Sequence, residues 1–210
     1  MDEIITHSQE HYLNAKEEYI VVIASCLAKK LDPKKEPILA NLIQQYPYAN
    51  VYDDEKKGRP KPGSYTIYGD GLKRRKIIVV FSQIYASKMD YPRDNKRKRL
   101  EWFADALNEI AEIPKLQSLA FPEQIARDGG GNWSDYYLAI SDFASTMALR
   151  AKIPITIYSN PHADGPTTQI SLNHCLNLDT SITLSKLAFV KNHEKIHVDR
   201  DELNLRPKKS

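Results

Sequence analysis

Phe121-Pro122-Glu123-Gln124-Ile125-Ala126-Arg127-Asp128-Gly129-Gly130-Gly131-Asn132-Trp133 decides how the rest of the chain is read. Ahead of it, residues 118–121 are a short apolar run that Pro122 stops, the pattern of a buried strand. Behind it, Asn132 can cap a helix whose buried face is Tyr136 or Tyr137, Ile140, Phe143, Ala144 and Met147. In an α/β sheet, ligands bind beyond the carboxyl ends of the strands, which is where this loop falls. Three successive glycines reach backbone conformations closed to other residues and let a ligand approach closely. Their N–H groups, with a helix N-terminus behind them, form a cradle for phosphate. The same glycines also suit a surface turn that binds nothing.

Strands and helices alternate outward from this stretch. Residues 19–24 are a β-rich apolar run. Pro37 opens a helix with Ile38, Leu39, Leu42 and Ile43 on one face, and Tyr46-Pro47 ends it. Residues 53–62 are charged and proline-bearing, a loop. Residues 64–69 alternate as a strand, and Asp70-Gly71 turns the chain into a second apolar strand at 76–82. From Asn95 the period becomes helical, with Leu100, Phe103, Ala104, Leu107, Ile110 and Ala111 on one face. Lys96, Arg97, Lys98 and Arg99 open that helix, Trp102 and Phe103 belong to its core side, and Pro114 closes it. Residues 153–158 are a last strand. The pattern predicts an α/β sheet with helices on both faces.

The chain has 210 residues, 41% hydrophobic and 27% charged, enough for a core without staples. No run approaches the roughly 18 apolar residues of a membrane span. The opening Met1-Asp2-Glu3 lacks the basic and apolar segments of a secretory signal. The expected setting is cytoplasmic, or a virion if the protein is viral. Thirty basic and 27 acidic residues leave a net charge of +3, too mild to argue for nucleic acid. Two basic clusters, Lys73 to Lys76 and Lys96 to Arg99, read as solvated surface, and a nucleic-acid partner is not expected. Cys26 and Cys175 read as free thiols. His193 and His197, four apart, lack a third ligand, so no metal site and no cofactor are expected. After Tyr158, the turn-rich Asn160-Pro161-His162-Ala163-Asp164-Gly165-Pro166 marks a boundary. The division expected is a module over 1–160 and an extension over 161–210 that can dock a protein partner.

Several short motifs then line up in order. They are Gln45-Tyr46-Pro47-Tyr48-Ala49-Asn50-Val51-Tyr52, Lys61-Pro62-Gly63-Ser64-Tyr65-Thr66-Ile67 and Phe81-Ser82-Gln83-Ile84-Tyr85-Ala86-Ser87-Lys88. Arg99-Leu100-Glu101-Trp102-Phe103 follows, then Ala120-Phe121-Pro122, Gly130-Gly131-Asn132-Trp133 with Tyr136, and Phe143-Ala144. Together, from about residue 19 to 158, they resemble the macro domains, ADP-ribose-binding α/β/α modules, in their short cellular and large-virus form. The resemblance implies a three-layer α/β/α mixed sheet and a crevice for ADP-ribose or an ADP-ribosylated protein.

Two loops depart from the family pattern. After the first long strand, ligand-binding members carry an asparagine and glycines; here Ser25 stands for the asparagine, Cys26 is kept and no glycine follows before Pro37. The second loop is one residue shorter, with Arg127 and Asp128 ahead of the glycines. By the resemblance, Arg127, Gly129, Gly130, Gly131, Asn132, Ser25 and Cys26 are the ligand-binding positions. Lys88 and Asp128 are the positions for a hydrolase's lysine and aspartate; an exposed loop lysine and a turn aspartate are the simpler account of them. Trp133, Tyr136 or Tyr85 can wall a base, or pack in the core. Recognition of ADP-ribosyl groups, with ADP-ribosyl hydrolysis weak or lost, is the expected function. The alternative is a degenerate macro fold serving as a non-catalytic interaction component of a larger assembly such as a virus particle.

Overall fold

The computed structural model describes residues 4–53, 59–86, 89, 92–150 and 152–159. Along them run β1 (Ile5–Ser8), β2 (Tyr19–Ser25), α1 (Pro37–Gln45), β3 (Tyr65–Tyr68), β4 (Lys76–Gln83), α2 (Lys96–Ile110), β5 (Leu119–Pro122), α3 (Ile125–Asp128), α4 (Trp133–Arg150) and β6 (Ile155–Tyr158). The six strands form one sheet in the order β1-β6-β5-β2-β4-β3. All neighbours are parallel except β3, which runs antiparallel to β4.

The central strands show why this is a layered α/β structure. Every residue of β2 is buried, and so are seven of the eight in β4, because both faces of the sheet are covered. On one face α2 and α4 pack together, with the rings of Phe103 and Tyr136 4.8 Å apart. α1 packs against β2 through Ile38, Leu39 and Leu42. The β3–β4 hairpin is shaped by its turn: Asp70 Oδ1 accepts from the amides of Leu72, Lys73 and Arg74.

The parallel sheet gathers the carboxyl ends of β2, β4, β5 and β6 on one side. Strand β2 neighbours β5 and β4, and the connection after β2 leads into α1 while that after β5 leads into α3 and α4. The two loops therefore diverge from adjacent strands, the arrangement that opens a crevice. A register shift between Ala24 and Ser25 bends the end of β2 at this point.

The structure adds and shifts some elements. β1 is an edge strand whose exposed Thr6 and His7 hide the apolar signal. α3 is a single turn, too short for a periodic pattern. α2 is rotated from the face expected: Ala106 and Arg99 are buried, while Ala104 is only partly so. Of the two tyrosines offered for α4, Tyr136 faces the core. Residues 160–210, with Cys175, His193, His197 and the proposed docking segment, lie outside the described residues.

Ile78 has no exposed surface at the centre of β4. Ile78→Ala is expected to lower stability by about 2–5 kcal/mol, through lost burial and the cavity left behind. Urea denaturation read by far-ultraviolet circular dichroism measures this.

Candidate functional site

The glycine loop is the C-terminal cap of α3. Gly131 N–H donates to the carbonyl of Ala126 at 2.8 Å, and Gly130 N–H to that of Arg127 at 2.9 Å. Gly130 between them has φ +72°. This is the Schellman arrangement, in which a left-handed residue lets two amides fold back on the last turn. Gly129 N–H donates to Ile125 O at 2.9 Å. A Cβ on Gly129 would lie 2.1 Å from Tyr136 Oη, and one on Gly131 would lie 2.7 Å from Tyr136 Cε2. The glycines are needed because this cap lies flat against Tyr136. Their three amides, expected to face a phosphate, are engaged within the loop instead, because a helix of one turn can end only by folding them back.

Arg99 holds this loop in position from beneath. Its side chain has no exposed surface and pairs with Asp94, equally buried. Nε and Nη2 meet the two Asp94 carboxylate oxygens; Nη1 donates to Gln83 Oε1 at 3.0 Å and Gly129 O at 3.3 Å, and Nη2 to Tyr85 O at 2.9 Å. These contacts match the five N–H donors of a guanidinium. Asp94 also accepts from the amides of Ile84 and Tyr85. One buried ion pair thus ties the end of β4, the approach to α2 and the glycine loop together.

Across the crevice, the end of β2 meets the start of α1. Glu36, at the N-cap of α1 and wholly buried, accepts from Ser25 N–H at 3.0 Å and from Tyr52 Oη at 2.7 Å. Tyr52 Oη also lies 3.1 Å from both Ser25 N and Ser25 Oγ. Pro37 at N1 has no N–H. The next amide, Ile38 N–H, is taken by Asp128 Oδ2 at 3.1 Å, reaching over from the α3 side. Asp128 is 4% exposed, and its Oδ1 has no hydrogen-bond partner. Burial first, and the nearby Glu36 charge last, push its carboxyl up to about 7, against the lowering effects of Ile38 N–H and Arg127. Burial also raises the Glu36 carboxyl. Cys26 is buried, and burial followed by the Asp94 charge pushes its thiol up to about 12, so it stays protonated and unreactive.

No family model matches the sequence, and no curated protein matches it. Solved structures do match. The macrodomain of Mycobacterium tuberculosis DarG superposes with a TM-score of 0.57 at 16% identity, covering 73% of this chain and 96% of that one. That of Thermus aquaticus DarG gives 0.51 at 15%, covering 73% and 97%. The fold is the macrodomain fold. An alphavirus P23pro-zbd structure also matches, with a TM-score of 0.51 at 16% identity over 94% of this chain and 25% of that longer one.

Within this macrodomain fold, the residues singled out from sequence separate into groups. Arg127 is exposed beside the glycine cap, its Nε 4.0 Å from Asp128 Oδ1. Asn132 is exposed at the start of α4, and among the described residues its side chain makes no hydrogen bond to the first turn. Its expected capping role is therefore not seen, and the amides of 133–135 are not capped by it. Ser25 and Cys26 are buried, with Ser25 bonded to Glu36 and Tyr52 rather than turned outward. Asp128 binds α1 instead of facing solvent as a base would. Lys88 lies outside the described residues. Tyr136 is core, Trp133 is half-buried with its ring 5.7 Å from that of Tyr137, and Tyr85 is exposed.

The basic cluster at 96–99 is not a uniform solvated patch: Arg97 and Lys98 pair with Glu101 while Arg99 is interior. The other cluster is also largely engaged. Arg74 lies over the Tyr48 ring, Arg75 donates to Glu17 O, and Lys76 pairs with Glu18. Sequence reasoning missed Glu36, Tyr52 and Asp94. The signal for Glu36 was its place immediately before Pro37, where an acid meets a helix N-terminus. Asp94 carried no local signal, since its partner is defined only by folding.

Asp94→Ala leaves the Arg99 charge buried without its counter-ion and is expected to cost about 3–5 kcal/mol, read by urea denaturation. Asp128 makes a separate, pH-dependent contribution. Its folded-state carboxyl titrates near 7 against 3.8 for the free group, so the folded protein holds more protons between those values. Stability from this group is present at low pH and declines as pH rises through that window. Asp128→Asn, neutral and still able to accept from Ile38 N–H, is expected to raise stability by about 2 kcal/mol at pH 8 and to change it little at pH 4. Thermal unfolding of both proteins across this range checks the sign.

Proposed function

We propose that this protein recognises ADP-ribose or an ADP-ribosyl group on another protein, without hydrolysing it. The observation that carries the reading is the macrodomain fold with the exposed Arg127 guanidinium at the mouth between the β2 and β5 loops. A guanidinium offers paired donors that suit phosphate oxygens. The first turn of α4, not capped by Asn132, adds backbone N–H groups and the positive end of an 18-residue helix. These groups take the part first assigned to the glycine amides. Recognition is favoured over hydrolysis because Asp128, the one described member of the expected catalytic pair, is bonded into α1.

A second reading has an observation of its own. Glu36, Tyr52 and Asp128 satisfy the end of β2 and the start of α1 internally, as a macrodomain used only as an interaction component of a larger assembly would allow. Titration calorimetry separates the two. The recognition reading expects micromolar binding of ADP-ribose, weaker binding of AMP, and a loss of roughly tenfold or more in Arg127→Glu at unchanged melting temperature. No heat and no thermal stabilisation at millimolar ADP-ribose overturns recognition and leaves the interaction reading.

A further inference from the structure

The buried Asp128–Ile38 contact joins the two sides of the crevice, and nothing in the recognition reading uses it. Asp128 belongs to the segment after β5; Ile38 belongs to the first turn of α1, which follows β2. The amide it takes is the first that α1 can offer, because Pro37 has none. A helix N-terminus in such a crevice favours an anion, and here the anion is supplied by the chain itself. The carboxylate is not fully satisfied there, since Oδ1 has no hydrogen-bond partner, with Arg127 Nε 4.0 Å away, while 2% of the side chain is exposed. Glu36 adds a second buried carboxyl with a free oxygen, Oε2, beside the same helix end.

We infer that Asp128 is the residue that sets the charge selectivity of this crevice: its carboxylate competes with the phosphate of an entering ligand for the N-terminus of α1. The inference rests on the recognition reading and adds to it a residue that works against binding. While Asp128 is ionised, a diphosphate meets a like charge and finds the Ile38 amide taken. When Asp128 is protonated, the repulsion disappears and the neutral carboxyl gives up the amide at lower cost.

The groups that face Asp128 are Glu36 before α1, Tyr12 from the 3-10 turn at Tyr12–Asn14, and Arg127 beside it. Burial first, and then the Asp128 charge, raise the Tyr12 phenol, so it stays neutral throughout the range that matters, and it donates to Ile38 O. Glu36 and Asp128 are thus the titrating carboxyls at this helix end, and Asp128 is the one that bridges the two loops.

The test is ADP-ribose titration of the full chain and of Asp128→Asn at pH 6 and pH 8. The two phosphates of ADP-ribose keep their charge between these values, so a change in affinity reports on the protein. The expected result is that the unaltered protein binds more tightly at pH 6 than at pH 8, by up to about tenfold, the ratio of competent fractions. Asp128→Asn should bind at both pH values as tightly as the unaltered protein does at pH 6. Equal affinities of the two proteins at pH 8 overturn the inference. So does a pH dependence that persists in Asp128→Asn, which would move its source to Glu36, the other buried carboxyl at this helix end. In either case ADP-ribose is still bound and the recognition reading stands. If neither protein binds at either pH, recognition itself fails and the inference with it.

Discussion

The buried Arg99–Asp94 pair is the interaction on which the rest of the site depends. Two charges removed from water are expensive unless every hydrogen-bonding position is filled, and Arg99 meets that condition by drawing in groups from three places. It takes a side chain from the end of β4, a carbonyl from the segment before α2, and a carbonyl from the glycine cap of α3. The cap cannot move away without stranding a guanidinium N–H in the interior. This explains why the glycine loop keeps a fixed shape although three glycines alone would leave it free. It also explains the close approach of Tyr136, which the missing Cβ atoms allow.

On that frame, the two sides of the crevice are finished differently. The β4 side is rigid and internally complete through Arg99. The β2 side is completed by acids: Glu36 holds the end of the strand and Asp128 holds the start of the helix. Carboxyls in such a place are stabilised by the amides they accept from and destabilised by burial and by a neighbouring charge, Asp32 for Glu36 and Glu36 for Asp128, and burial is the largest influence on both. A macrodomain frame therefore carries, next to its exposed Arg127, a helix end already occupied by the protein's own carboxyl. Cation outside and acid inside make the crevice electrically divided rather than uniformly receptive to anions.

The motifs that resembled a family carry the frame more than the ligand site. Gln83, Arg99 and the glycine loop meet one another, and Tyr52 at the end of the tyrosine-rich motif fixes Glu36. Gly63, after Pro62, donates its amide to Phe81 O at 2.8 Å, and its φ of +89° needs a glycine. The spacing of these motifs along the chain brings their residues together in the fold, whatever the crevice then holds.

Alternating apolar strands and amphipathic helices determined the layered α/β fold from sequence alone, since burial of whole strands and single helix faces is a local pattern. The helix starts at Pro37 and Asn95 were legible for the same reason. Tertiary structure alone decided that Arg99 points inward while Arg97 and Lys98 stay at the surface, and that Asp128 crosses to Ile38, ninety residues away in sequence. Charge and glycine are ambiguous as sequence. Whether an arginine is solvated or clamped, and whether a glycine amide is offered to a ligand or folded into a cap, depends on partners that only the folded chain brings within hydrogen-bond distance.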